Sequence, residues 1–398
     1  MKTAETHRAI VETCAFCPKL CRWACPVADA EGRETVTPWG LMTLVDDVAR
    51  GRARLDAVTA EVFAHCTGCR RCQHVCKHDN EMPTALMAAR AEAVAAGVAP
   101  RGWSAWAEAL PPQSPSLDAL PAGGEAVLLA GRADEARIAA SLALLAAAGR
   151  VVGRPVVGGR TLRDTGHRFV AAGRPERAAA ARAAVLATGA KVVICLDAED
   201  VEALRFGEPG GPRALHLVEA LAGRLDALRP AVAGDVLYLD ACRLGRGLGL
   251  VDAPRALLQA VVRGAVHGAV TAGEAGSCCG AGAALPAVDP AAAAATGAAM
   301  ASESVTAGDD VPVVIDGHCA DHLRAALAPR PVSSWAEVVA RGLPGWESRR
   351  SEHGEGALGR AQRSRPLEGD GSERGGRKPD AAQIPPGGRR SEHGEGEQ

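Results

Sequence analysis

Eight of the thirteen cysteines in this 398-residue chain fall in two short N-terminal clusters. The first cluster is Cys14-x2-Cys17-x3-Cys21-x3-Cys25, and the second is Cys66-x2-Cys69-x2-Cys72-x3-Cys76. The second spacing matches the C-x2-C-x2-C-x3-C run that holds a cubane iron–sulfur cluster, and the first differs from it by one added residue. The sequence therefore predicts two [4Fe–4S] clusters.

The ligand sets of the two clusters follow from a rule of two-cluster ferredoxins, in which the fourth cysteine of each run ligates the other cluster. By that rule, one cluster takes Cys14, Cys17, Cys21 and Cys76, and the other takes Cys66, Cys69, Cys72 and Cys25. The alternative is structural zinc, whose sites usually pair two hooks that lie a dozen or more residues apart. Four thiolates from one short segment suit the separated corners of a cube better than one tetrahedral ion. The flanking His65, His74 and His78 are interpreted as neighbours of the ligands.

Charge and hydropathy exclude several classes of partner and location. The formal net charge is −2 with both signs intermixed, so no basic face predicts nucleic-acid binding. The first residues contain no apolar signal segment, and no stretch is apolar enough to span a bilayer. We therefore expect a cytoplasmic protein, with peripheral association at the inner face of a membrane left open. In a reducing compartment, clustered thiols are metal ligands or catalytic groups rather than disulfides.

The pattern of the chain predicts an α + α/β fold. Residues 1–97 are expected to form a helical two-cluster ferredoxin domain, with Thr37 and Pro38 starting one helix and Gly97 ending another. Residues 98–124 are rich in proline and glycine and are interpreted as a linker.

Beyond residue 124, short apolar runs alternate with helical stretches, which is typical of parallel strands in α/β units. The predicted strands are Val127–Ala130, Lys191–Leu196, Asp235–Asp240 and Val311–Ile315. We interpret this part as a duplicated domain, 125–230 and 234–345. Residues 346–398 have few apolar side chains and are predicted to be a disordered tail.

Four downstream cysteines form a further candidate site: Cys242, Cys278, Cys279 and Cys319. Two of them follow predicted strands, and sites form in the crevice beyond the carboxyl ends of parallel strands. Gly280 and Gly282 would let the backbone approach a cofactor closely, and a helix starting after Cys319 would lower the pKa of that thiol. The alternatives are a metal site and reduced structural thiols. His318 and His322 are further candidate ligands because Cys319-x2-His322 has metal-compatible spacing.

These cysteines resemble the cysteine-rich CCG domain of heterodisulfide reductase subunits and of their relatives in glycolate, lactate and anaerobic glycerol-3-phosphate oxidation. The gaps of 35 residues before Cys278 and 36 residues after Cys279 fit the family pattern and put Asp316 where the family often has its fourth cysteine. The resemblance implies a non-cubane [4Fe–4S] cluster or a zinc ion at this site. In the first half of the duplication, Asp164 and Thr165 stand where two cysteines would be, and only Cys195 survives, so this half resembles a scaffold.

The resemblance also implies a function. It implies an iron–sulfur subunit that relays single electrons between two partners. One partner would be a flavoprotein dehydrogenase or oxidase, or another redox protein. The other would be an acceptor such as a membrane cytochrome or a quinone-linked subunit. No G-x-G-x-x-G fingerprint follows a strand, so we expect any flavin on another chain. Two alternatives remain: a catalytic disulfide reductase acting at the downstream cysteines, and a non-enzymatic metal-binding or redox-sensing scaffold. The sequence leaves open whether the chain is itself an enzyme.

Overall fold

Helices and parallel sheets together make up the structure, a computed structural model that describes residues 1–109, 111, 114–205, 210–226, 228–303 and 307–346. The described residues belong to one compact unit that runs from Met1 to Arg349. The predicted disordered tail lies outside the described residues, except for Trp346, whose side chain is buried. Within these ranges, no helix is long and apolar enough to cross a membrane.

The N-terminal part is helical. Its helices are α1 (Lys2–Thr6), α2 (Arg8–Ala15), α3 (Pro26–Glu31), α4 (Pro38–Ala49), α5 (Ala57–Ala64), α6 (Arg71–His74) and α7 (Met82–Ala95), with 3₁₀ turns at Arg22–Ala24 and Glu34–Val36. The predicted start of α4 is confirmed, because the hydroxyl of Thr37 accepts a hydrogen bond from Gly40 N at 3.0 Å and Pro38 takes the first helical position. Leu41, Phe63 and Leu86 lie in the core of this part.

The segment 98–124, predicted to be a linker, is folded onto the protein. It carries α8 (Arg101–Glu108) and α9 (Pro115–Asp118). The side chain of Trp103 is fully buried in the N-terminal core, which also includes Phe169 and Ala284 from farther along the chain. The proline and glycine content indicated breaks in helices but did not show that an aromatic side chain would bury this segment.

Residues 125–230 form a parallel sheet with helices. In order, the elements are β1 (Ala126–Leu129), α10 (Glu135–Ala147), β2 (Val156–Val157), β3 (Arg160–Thr161), α11 (His167–Ala171), α12 (Pro175–Leu186), β4 (Val192–Cys195), α13 (Ala198–Arg205), β5 (Arg213–His216) and α14 (Leu217–Leu221). The sheet order is β1-β4-β5, and parallel bridges join Gly153 to Val127 of β1 and Arg154 to Ala122, which precedes β1. The short β2 and β3 form a separate antiparallel pair.

Residues 234–345 repeat this arrangement. The elements are β6 (Val236–Tyr238), a π-helical turn (Arg243–Gly247), α15 (Asp252–Val261), β7 (Val266–Gly268), a 3₁₀ turn (Gly273–Ala275), α16 (Leu285–Val288), α17 (Pro290–Ser302), β8 (Val313–Ile315), α18 (Cys319–Ala326), β9 (Val332–Ser334) and α19 (Trp335–Ala340). The parallel sheet order is β7-β6-β8-β9. It matches the first sheet when the bridged residues 153–154 take the place of β7.

The two halves share one hydrophobic core. It combines Leu128 and Ile194 of the first sheet with Tyr238 and Val314 of the second. The expected parallel strands are therefore present, although the sequence did not indicate β5, β7 and β9, which are only three or four residues long. The exact domain boundaries stay predictions.

A buried arginine on α7 connects all three parts of the molecule. The guanidinium of Arg90 donates to the carbonyl oxygens of Phe63, Cys66, Ala171 and Ala283 at 2.6–3.3 Å. These carbonyls belong to the N-terminal helices and to both halves of the α/β part. Burial lowers the pKa of Arg90 to about 10, so the side chain stays cationic at neutral pH.

We predict that Arg90→Met lowers the free energy of unfolding by about 3 kcal/mol or more, because buried carbonyls lose charge-assisted hydrogen bonds that are worth about 1.5–3 kcal/mol each. Urea unfolding followed by circular dichroism measures this change. The exposed Arg8→Met is the control and should change the free energy by less than about 0.5 kcal/mol. Equal effects of the two substitutions would contradict the prediction.

Candidate metal centres

The N-terminal thiols act on one another's pKa mainly within two sets, Cys14, Cys17, Cys21 and Cys76 in the first and Cys25, Cys66, Cys69 and Cys72 in the second. That each set ligates one cluster stays a prediction. In the first set, the pKa of Cys14 is raised to about 12 by burial and by the charges of Cys21, Cys76 and Cys17, against a hydrogen bond from Asn80 that lowers it. The Asn80 Nδ2–Cys14 Sγ distance is 2.9 Å. Mutually repelling, partly desolvated thiolates are stabilised by a bound cation, so this set suits a metal cluster.

The second set lies deeper in the protein. Burial raises the pKa of Cys25 to about 12, with added repulsion from Cys69 and Cys66. Burial also raises the pKa of Cys72, and the charges of Cys69, Cys66, Cys25 and Cys21 add to the effect. Because Cys21 belongs to the first set, this last interaction indicates that the two sets are neighbours.

The four downstream thiols form a third group, buried or half-buried, at the carboxyl ends of β6 and β8. These thiols act on one another's pKa, Cys242 with Cys278, Cys278 with Cys279, and Cys279 with Cys319. Gly280, at φ +86°, turns the chain directly after the Cys-Cys pair, where a side chain would meet the Ala293 carbonyl. Together these thiols line a cavity of about 30 Å³. Four converging sulfur ligands are a donor set typical of iron–sulfur clusters and of zinc.

The pKa of Cys319 is raised, whereas the sequence predicts that the helix after this residue lowers it. The hydrogen bond with Cys279 lowers the pKa of Cys319, but burial and the charges of neighbouring thiols outweigh it and raise the pKa to about 11. The dipole of the eight-residue α18 does not compensate for desolvation. Without a metal, this group is therefore a thiol rather than a reactive thiolate at neutral pH.

Asp316, at the position of the family's fourth cysteine, also lines the thiol cavity. Its Oδ2 lies 3.1 Å from Nε2 of His216, a buried residue at the end of β5. Nδ1 of His216 accepts a hydrogen bond from Val218 N, while Nε2 faces Asp316 without meeting hydrogen-bond geometry. The other proposed ligand, His322, places its Nε2 3.1 Å from the Ala293 carbonyl oxygen.

The second N-terminal set is in contact with the downstream group. An interaction with the thiol of Cys278 lowers the pKa of Cys69 well below its ordinary value. The hydroxyl of Thr67 lies 3.3 Å from Cys278 Sγ. The two groups of thiols therefore approach each other at Cys69, Thr67 and Cys278.

The first half of the α/β part has other residues where the second half has thiols. In the first sheet, Cys195 of β4 is the register partner of His216 of β5, and in the second sheet Ile315 of β8 is the register partner of Ser334 of β9. His216 and Ser334 each begin a capping box. Cys195 is thus equivalent to Ile315, a core strand position, so its interpretation as a surviving ligand cysteine is wrong. By the same register, Glu199 occupies the position of Cys319.

Charged side chains fill the equivalent site of the first half. Asp197 accepts from Arg132 N at 2.9 Å and from Arg137 at 3.2 Å. Asp200 accepts from the backbone and hydroxyl of Thr165 at 2.7 Å, and Asp164 pairs with Arg168. This network explains physically why the first half needs no metal to hold its loops together.

A second, larger cavity of about 1210 Å³ adjoins the thiol cavity. Residues from the N-terminal helices and from both α/β halves line it, including Met87, Trp106 and Ala281. Both cavities share the lining residues Thr67, Glu199, Arg243, Gly282 and His318. A cavity of this size accommodates an organic molecule.

Sequence reasoning did not identify Glu199, His216 or Arg90. Each of them acts on residues far away in the chain, and none lies in a recognisable spacing. Glu199 is identified by comparing the register of β4 in the first sheet with that of β8 in the second. This register is known only once the strands of each sheet are paired.

Two family models match parts of the chain. Residues 10–80 match the 4Fe-4S dicluster domain, and residues 236–324 match the cysteine-rich CCG domain. Neither the curated proteins nor the solved structures gave a significant match. The matched domains contain all twelve cysteines of the three groups, and they identify an iron–sulfur, metal-binding redox protein with a CCG domain.

The His167–Asp200 pair generates a pH-dependent prediction. Burial opposes the charge on His167, but the charge and hydrogen bond of Asp200 raise its pKa to about 9. The pair therefore stabilises the fold fully below pH 6.5, the ordinary pKa of histidine, and loses this contribution as the pH rises through 9.

We expect His167→Gln to be less stable than the unsubstituted protein at pH 6 and to approach it at about pH 10, as measured by urea unfolding. His267→Gln, which affects a pair with the half-exposed Asp235, is the control and should show a smaller pH-dependent difference. A stability difference that stays constant across this range would contradict the raised pKa.

Proposed function

We propose that this chain is an iron–sulfur electron-transfer subunit of an oxidoreductase that works with a flavoprotein partner. The first and second thiol sets hold two [4Fe–4S] clusters, and the downstream thiols hold a third centre, a non-cubane [4Fe–4S] cluster or a zinc ion. When bound, such clusters accept and release single electrons. The flavin and the substrate of the complex belong to the partner.

The contact between Cys69 and Cys278 carries this proposal. A proposed ligand of the inner cluster and a proposed ligand of the downstream centre lie close enough for each thiol to act on the pKa of the other, so electrons would cross only a short distance between the two centres. Arg246 strengthens this junction, because its guanidinium donates to the Cys69 carbonyl at 2.9 Å and also bonds the Gly276 carbonyl. The chain thus fixes the distance between the two centres.

The surroundings of the first set support its role as the contact point for the protein partner. Phe16, Leu20 and Trp23 are 69, 62 and 63 % exposed, although large apolar side chains are usually buried. They come from the same loop as Cys17 and Cys21. Exposed apolar groups beside a redox centre suit a transient docking surface. The electron acceptor would then exchange electrons with the downstream thiol centre. The expected acceptor is a membrane cytochrome or a quinone-linked subunit.

Anaerobically purified protein should contain about eight irons in the two cubanes and show a reduced-state EPR signal. Cys21→Ala should lose about four irons because it removes one ligand of the first set. Metal analysis and EPR of the reduced protein measure both effects.

The matched control is Cys195→Ala, since Cys195 is buried in β4 and belongs to none of the three groups. It should keep the full iron content. Fewer than about eight irons in the unsubstituted protein, without a reduced-state EPR signal, would refute the two-cubane assignment.

The larger cavity favours a second candidate function, a catalytic disulfide reductase. An organic disulfide in this cavity would reach the downstream centre, where two electrons from the clusters and two protons convert R–S–S–R to two R–SH. Glu199, His318 and Arg243 line both cavities and would contact such a molecule.

Turnover of a disulfide by the isolated chain with dithionite as reductant distinguishes the two functions. We expect no turnover for an electron-transfer subunit. Release of two thiols per disulfide that is abolished in Cys279→Ser, but retained in Cys195→Ala, would favour the reductase.

A further inference from the structure

We propose that Glu199, on α13 of the first half, is an oxygen ligand of the metal centre held by the four thiols of the second half. The proposal rests on the proposed function, since it presupposes a metal at that centre. It changes the role of the first half from scaffold to contributor of a ligand.

The position of Glu199 is the first argument. Its side chain lines the same cavity of about 30 Å³ as Cys242, Cys278, Cys279 and Cys319. It is close enough to Cys319 for its charge to act on that thiol. By strand register, it is also the residue that replaces Cys319 in the first half, so equivalent positions of both halves face one cavity.

The partners of the neighbouring carboxylates give the second argument. Asp164, Asp197 and Asp200 each accept hydrogen bonds from the backbone and pair with an arginine or a histidine of the first half. Within the described part of the chain, Glu199 makes no hydrogen bond and no ion pair of its own. Its carboxylate oxygens are therefore available to a ligand in the cavity.

Electrostatics gives the third argument. Desolvation raises the pKa of Glu199, but His318, His167 and Arg243 outweigh it, so the side chain is ionised. Two of these three side chains are already engaged: Arg243 by Glu202 at 2.9 Å and His167 by Asp200 at 3.2 Å. An anionic carboxylate facing four thiols calls for a cation, and carboxylate oxygens bind both iron and zinc.

Asp316 is the competing carboxylate because it lines the same cavity. One of its oxygens already lies 3.1 Å from Nε2 of His216 in the first half, whereas Glu199 has no such close polar neighbour among the described residues. Asp316 is therefore the weaker candidate, and its variant is the comparison for the test.

The experiment uses the full chain, purified anaerobically, with Glu199→Gln, Asp316→Asn and Asp321→Asn. Asp321 lines only the larger cavity and is 46 % exposed, so its substitution controls for the loss of a nearby charge. The measurements are iron and zinc content, the rate of metal release to EDTA, and X-ray absorption and EPR spectra. Thermal unfolding by circular dichroism checks that every variant is folded.

We expect Glu199→Gln to release the metal beyond the cubane irons about tenfold or more faster and to lose oxygen scattering at that centre, while the reduced cubane EPR signal stays unchanged. Glu199→Asp should restore part of the retention. Asp316→Asn and Asp321→Asn should match the unsubstituted protein.

Unchanged release and spectra in Glu199→Gln would overturn the proposal, and so would the same effect in Asp316→Asn instead. An unsubstituted protein that holds about eight irons and no further metal would also overturn it while leaving the two-cubane function intact. Fewer than about eight irons would instead show that the proposed function itself had failed.

Discussion

The buried guanidinium of Arg90 is the interaction on which the arrangement of the three parts depends. A fully buried cation is costly unless its donors are satisfied. Here the charge is offset by four backbone carbonyls rather than by a carboxylate, and Trp103 lies 5.5 Å from the guanidinium. Since the carbonyls of Cys66, Ala171 and Ala283 come from different parts of the molecule, none of these parts can move away without exposing unpaired polar groups.

This arrangement brings the redox centres together. Arg90 donates hydrogen bonds to the carbonyl oxygens of Cys66 and Ala283. In the chain, Cys69 comes shortly after Cys66, and Cys278 comes shortly before Ala283. Gly282 allows the approach, because a β-carbon there would lie 2.4 Å from the Thr67 carbonyl oxygen. Backbone therefore packs directly on backbone between the N-terminal part and the second half. The contact between Cys69 and Cys278 is a consequence of this packing and needs no flexible loop.

The sequence predicted what depends on local spacing. The cap of α4 and the strands β1 and β4 follow from neighbouring residues, and the structure places them as expected, whereas the ligand sets of the thiols stay predictions. The burial of the described residues of segment 98–124 depends on Trp103 joining the same hydrophobic core as Phe169, sixty-six residues away in the chain, which no local pattern shows. The role of Cys195 was misjudged for the same reason, because only the pairing of β4 with β5 shows that this cysteine occupies a core position.

The two halves of the α/β part differ in the side chains that occupy equivalent positions after their strands. In the second half, four thiols converge, and each is disfavoured as an anion by burial and by its neighbours, so the loops are held best when a metal is bound. In the first half, ion pairs among Asp164, Arg168, Asp197 and Arg137 hold the corresponding loops without a metal. This network leaves the surface of the first half facing the four thiols of the second half. Among the carboxylates of that surface, Glu199 is the one for which the described residues provide neither a hydrogen bond nor an ion pair, so the two halves differ most at the position where Cys319 and Glu199 correspond.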